Sequence, residues 1–269
     1  MARTKRMFVD GAFGQIHLRM AVPKIMSKRP LLMMHMSPKS GRLFAGFVED
    51  ASTDRIIIAH DYPGFGESDP PPSDPHVTIE DYAQSVWDVV DALDLGKVDL
   101  LGYHTGSEVV AEAARQRPES VGGIVMVSAP IFTAEDIAEM KQTYSFTPLD
   151  AEGTRFKKMW AAVKAHRGPG MTLEMMAVTF SENLRAGENY DWGHRAAIEY
   201  ATTYPETVKK LPHRITVLMP DDDLAFYTPR IIPLLQNGEV VDCPNWGHGF
   251  LDAHREQAIS VIKTALDAS

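Results

Sequence analysis

The feature that most constrains this chain is an alternation between residues 31 and 130. Short, largely apolar runs are followed by helix-like stretches, and the pattern repeats three times. The runs are Leu31-Leu32-Met33-Met34, Arg55-Ile56-Ile57-Ile58-Ala59, Val98-Asp99-Leu100-Leu101 and Ile124-Val125-Met126-Val127. Runs this short and this apolar suit strands buried on both faces. Between them, 41–50 reads as a short helix. Thr78 and Asp81 have capping-box spacing, and Ile79, Tyr82, Ala83, Val86, Val90 and Leu93 then recur at three and four until Gly96. A further helix is expected over 108–116, before Pro118. Strand and helix in alternation imply an α/β fold, a mostly parallel sheet with helices on both faces. Ahead of it, Met7-Phe8-Val9 and the run from Ile16 to Met20 flank a glycine turn and read as a hairpin.

The pattern breaks over 131–212. This stretch holds no strand signal, only helical segments near 134–142, 150–166, 171–186 and 190–204, rich in aromatic residues and Met. It reads as an inserted helical cap, with 1–130 and 213–269 forming the core. Strand pattern resumes at Ile215–Met219 and Val240-Val241-Asp242, and a last helix is expected near 253–267.

Charge narrows the partners. Lys plus Arg is 27 and Asp plus Glu is 36, a formal charge of −9, which opposes binding to nucleic acid or to anionic membranes. Cys243 is the single cysteine, so an internal disulfide and a cysteine zinc cluster are excluded. The basic start has no apolar stretch behind it, and no run approaches the ~18 residues of a membrane span. A cytoplasmic protein with a small-molecule substrate is expected, without metal or cofactor. The oligomeric state stays open, a homodimer among the options.

Ligands of open parallel sheets bind at the carboxyl ends of the strands. Those ends carry His35-Met36-Ser37, Gly102-Tyr103-His104-Thr105-Gly106, Asp221-Asp222-Asp223 and Gly247-His248-Gly249. Histidines and carboxylates gathered there point to acid–base or nucleophilic chemistry. Two histidines with a carboxylate are also a metal-ligand set, a competing reading. At least two of the three aspartates are expected to form only a solvated turn. His17, His60, His76 and His254 are expected at the surface or the core edge. No dinucleotide fingerprint or phosphate-binding loop is present: Gly64-Phe65-Gly66 leads to Glu67-Ser68-Asp69 rather than a third glycine.

The order of these elements, with the Asp61-Tyr62-Pro63-Gly64-Phe65-Gly66-Glu67-Ser68 loop, resembles the α/β-hydrolase family along essentially the whole chain. The departure lies at the centre. The family's elbow reads G-x-S-x-G or carries Asp or Cys, whereas His104 stands at the nucleophile position here. The resemblance implies a catalytic His248 oriented by Asp223, with the adjacent Asp221 and Asp222 as the alternative acids, and an oxyanion hole from the backbone N–H groups of Met36 and Thr105. Met36 replaces a usual glycine. His35, Tyr103, Trp160 and Trp192 are candidate substrate contacts, with His35 expected first of all to order its loop by hydrogen bonding to backbone, and Phe146, Met175 and Met176 are further cap residues that could face His104.

The expected function is hydrolysis of an ester, lactone or related carbonyl bond of a small apolar molecule, with His104 attacking the carbonyl or positioning water. A C–C bond hydrolase, lyase or cofactor-free oxygenase on the same fold is the alternative. A non-catalytic small-molecule-binding pseudoenzyme is the alternative of another class.

Overall fold

A computed structural model describes residues 3–143 and 147–268. A hairpin opens the chain, β1 (Lys5–Gly11) and β2 (Gly14–Ala21). Then come β3 (Leu31–Met34), α1 (Ala45–Ala51), β4 (Ile57–His60), α2 (Ile79–Ala92), β5 (Val98–Tyr103), α3 (Thr105–Gln116) and β6 (Val121–Val127). Five helices follow: α4 (Ala134–Thr143), α5 (Thr154–Ala165), α6 (Leu173–Arg185), α7 (Trp192–Tyr200) and α8 (Tyr204–Lys210). The chain closes with β7 (Ile215–Pro220), β8 (Gly238–Cys243), α9 (Phe250–Ala253) and α10 (Arg255–Asp267). No helix among the described residues is long and apolar enough to cross a membrane.

The eight strands form one sheet in the order β1-β2-β4-β3-β5-β6-β7-β8. Only the β1/β2 and β2/β4 pairs are antiparallel. The remaining pairs are parallel, as expected from the alternation. This is the α/β-hydrolase fold.

Period-two geometry sends alternate side chains of each strand into different layers. Leu32 and Met34 of β3 join Leu100 of β5 in the layer covered by α2 and α3. Leu31, Met33 and Leu101 face the other way, against Phe44, Phe47 and Ile262. Each such side chain contributes roughly 1.5–3 kcal/mol by leaving water. The apolar stripe of α2 is buried as its spacing predicts, and its capping box is formed: Asp81 N donates to Thr78 Oγ1 and Thr78 N donates to Asp81 Oδ2.

The structure corrects several expectations. α3 begins at Thr105, directly after the elbow, rather than at 108. The helical stretch near 190–204 is two helices, broken at 201–203 before Pro205. His17 and His60 are buried rather than at the surface. His17 Nδ1 donates to Asp61 Oδ2, and His60 Nε2 bonds Ser85 Oγ. The Asp61 loop motif is structural, since the Asp61 carboxylate also accepts from the N–H groups of Gly41 and Glu67.

Candidate active site

His104 occupies the turn between β5 and α3 at φ 51° and ψ −115°, a conformation that side-chain-bearing residues rarely adopt. Two glycines make the turn possible by allowing close approach. A Cβ on Gly102 would lie 2.1 Å from Gly106 O, and one on Gly106 would lie 2.2 Å from Met34 O. His104 N donates to Val127 O at 2.9 Å, which anchors the turn to β6. Ser107, the serine of the elbow region, is engaged beneath it, donating to the carbonyls of Gly102 and Val127.

The turn after β7 supplies two carboxylates. Asp222 Oδ2 lies 2.9 Å from His104 Nε2 and accepts from Ser128 Oγ at 2.5 Å, while Leu224 N donates to Oδ1. Asp223 Oδ1 lies 2.7 Å from His248 Nε2. The rings of His104 and His248 sit 5.3 Å apart, centroid to centroid, nearly perpendicular. The site therefore holds two histidine–aspartate pairs. Asp222 is no part of a solvated turn: its side chain is fully buried. Of the three aspartates only Asp221 stays outside the pairs, its Oδ2 accepting from Asn245 N.

These contacts set the charge states. Burial pulls the His104 imidazole down, but the charge and hydrogen bond of Asp222, with the charge of Asp223, bring it above its ordinary value of 6.5. Burial works against the Asp223 anion as well. The His248 hydrogen bond and the neighbouring imidazoles overcome it and hold this carboxyl well below the usual carboxylate range. Asp222 is likewise lowered, burial being outweighed by His104 and Ser128. His194 is held neutral, its value brought to about 4 by burial and by His104.

A cavity of about 270 Å³ opens over the pair of pairs. The core contributes His104, Thr105, Met36, Asp223 and His248 to its lining. Helices α4–α7 and their loops contribute Met140, Val163, Met171, His194 and Ile198, among others. Most of this surface is apolar, which suits a small apolar guest.

The expected residues divide accordingly. His104, His248 and Asp223 come together, and Met36 and Thr105 lie beside them. The four candidate substrate contacts do not line this cavity. Tyr103 packs edge-on behind His104 and against Phe250. His35 orders the loop, as expected of it: Nδ1 bonds Met36 O, Tyr62 N donates to Nε2, and burial brings its value to about 4. Trp160 packs on Phe180 among α5 and α6, and Trp192 packs on His76 and the main core. Met176 is buried with Val163 and Met171, and Met175 packs beside it. Phe146 lies outside the described residues.

Sequence reasoning missed the pairing of Asp222 with His104 and with Ser128. Asp222 was visible in the aspartate run, but its direction depends on the turn. Paired hydrogen bonds of this kind can move protons between the imidazoles and a substrate held over them. The donor atoms of His104, Asp222, Asp223 and His248 also lie within 4.8 Å of one another, so a metal ion could be held by this set if it displaced the hydrogen bonds.

Comparison with known proteins agrees with this architecture. A family model described as alpha/beta hydrolase fold matches residues 29–159. The 1-acylglycerol-3-phosphate O-acyltransferase ABHD5 of Mus musculus is 34% identical over 105 residues. That match covers 38% of this chain and 30% of the mouse protein, so the shared region is under a third of that relative. The 2-hydroxymuconate semialdehyde hydrolase of a Pseudomonas strain is 22% identical over 76% of this chain and 72% of its own. Among solved structures, an epoxide hydrolase from Vigna radiata superposes with a TM-score of 0.78 at 15% identity, covering 99% of this chain and 98% of its own. Esterases and enzymes acting on N-acyl homoserine lactones share the fold too. The chain is an α/β-hydrolase-fold protein.

Proposed function

We propose that the chain hydrolyses an ester, lactone or related carbonyl bond of a small, largely apolar molecule at a centre of His104, His248 and Asp223. The observation that carries this reading is the pair of histidine–aspartate contacts on the floor of one apolar cavity. Asp222 joins the centre as the partner of His104.

The pairing favours a water-mediated route over covalent attack. Nε2 of His104 is engaged by Asp222, and the raised imidazole value favours the protonated ring, which has no lone pair to attack with. His248 donates its Nε2–H to Asp223, leaving Nδ1 to take a proton from water as the water oxygen bonds to the carbonyl carbon. The backbone N–H groups of Met36 and Thr105 receive the oxyanion. As the carbon–oxygen bond to the leaving group breaks, protonated His104 supplies its proton. In this reading α4–α8 act as the cap of 131–212, no cofactor is needed, and the protein works in the cytoplasm.

A second reading is cleavage of a C–C bond beside a carbonyl. It draws on the same two histidine–aspartate pairs, and the 2-hydroxymuconate semialdehyde hydrolase similarity over three quarters of the chain favours it.

The test compares wild type, His104→Ala and His104→Ser on short and aromatic esters, thioesters and lactones, with and without a chelator. Chelator-resistant turnover that disappears in His104→Ala supports the proposal. An inert wild type beside an active His104→Ser variant rejects ester hydrolysis in favour of the C–C reading or of a binding role.

A further inference from the structure

We propose that Glu108 and Ser37 form a subsite for an uncharged oxygen substituent, a hydroxyl or a ketone, on the molecule that occupies the cavity. Both residues line the cavity, and neither has a role in the chemistry above. This deepens the hydrolase reading by naming a feature of its substrate.

Glu108 stands in the first turn of α3, directly after the elbow, and is 3% exposed. Its Oε2 is buried with no hydrogen-bond partner. Ser37 is also 3% exposed, and its Oγ is likewise buried without a partner. Gly193 of α7 leaves room for that hydroxyl, since a Cβ there would lie 1.8 Å from it.

Several other polar groups on the cavity wall are already engaged. His104 and Asp223 belong to the two histidine–aspartate pairs, as does His248. Lys39 Nζ donates to Thr179 O and Asn183 Oδ1. Glu108 and Ser37 are thus uncommitted hydrogen-bonding groups in a largely apolar wall. A buried polar atom left without a partner is disfavoured by about 1–3 kcal/mol, and a ligand atom that completes it recovers that loss on binding.

The charge environment selects the guest. Burial pushes the Glu108 carboxyl well above the usual carboxylate range. A neutral carboxylic acid has an O–H to donate, as well as a carbonyl oxygen that accepts. It therefore suits a ketone oxygen or a hydroxyl. An anionic group would be repelled were Glu108 to ionise, and an ammonium group would face Lys39 and His104 across the same space.

The test uses two probes of the same carbon skeleton, benzylacetone and butylbenzene, titrated calorimetrically into wild type, Glu108→Gln and Glu108→Leu. Neither probe can be hydrolysed as an ester, so the result stands whether or not the hydrolase reading survives. Wild type should prefer the ketone by about five- to tenfold, the worth of one hydrogen bond to a neutral group. Glu108→Gln, which keeps an N–H donor, should retain the preference. Glu108→Leu should lose it while still binding butylbenzene. Infrared difference spectra of wild type against Glu108→Gln at neutral pH should show a carboxylic acid C=O band that shifts when benzylacetone binds. The proposal is overturned by an ionised Glu108, by the absence of any ketone preference in wild type, or by a preference that persists in Glu108→Leu.

Discussion

The elbow conformation of His104 should reveal itself as an inverted stability order between two variants. His104→Ala and His104→Gly both remove the imidazole, and both leave Asp222 with Ser128 Oγ and Leu224 N as partners. They differ in a single methyl group at a backbone held at φ 51° and ψ −115°. A residue with a Cβ in such a sparsely populated region is disfavoured by about 1–3 kcal/mol. Glycine escapes that strain but loses about 0.5–1 kcal/mol more backbone entropy on folding. The balance favours His104→Gly by about 1 kcal/mol, or about 2–4 °C in melting temperature for a chain of this size. In an ordinary helix the order is the opposite. Urea and thermal unfolding of the two purified variants decide the matter. If His104→Ala proves as stable as His104→Gly or more so, the elbow is unstrained and the reasoning fails.

Gly106→Ala should destabilise the protein by about 3 kcal/mol or more, because its Cβ would meet the carbonyl of buried Met34 at 2.2 Å. Gly96→Ala, at φ 65° but with nothing within 4 Å, should lose only about 1 kcal/mol, and a urea midpoint series separates the two effects. Asp222→Asn removes the charge that raises His104, so the imidazole should titrate lower than in wild type, as followed by NMR of the ring protons. In wild type the stabilisation from this pair is fully present below the ordinary imidazole value and is lost as pH rises through the raised folded value. The stability advantage of wild type over Asp222→Asn should therefore shrink across that upper range, and an advantage that grows there refutes the assignment.

Much of this fold was legible before the structure. Fully apolar runs of four residues fixed β3, and the capping spacing of Thr78 and Asp81 placed the start of α2, because local hydrogen bonding and burial decide both. The elbow was legible for a similar reason: close packing demands glycine at 102 and 106 whatever stands between them. The aromatic residues of the helical insertion were misjudged. Trp160 and Trp192 looked like pocket walls, yet large rings serve equally well to hold helices to one another, and sequence cannot tell an inward face from a packed one. The loop-ordering role of His35 rests on Met36 O beside it and on the N–H of Tyr62, far along the chain. The pairing of Asp222 with His104 depended on turn direction, which no periodicity encodes.

Asp222 and Asp223 are neighbours in the chain, so both imidazoles are tethered to one turn. Their anchor points are separated by a single peptide unit, about 3.8 Å between Cα atoms, rather than by the packing of two independent elements. Motion at the end of β7 carries both anchors together and leaves their separation nearly unchanged. The spacing of the two imidazole anchors is thus protected by covalent geometry against the breathing of the sheet. A one-residue insertion or deletion in this turn would put both partners out of register in a single event.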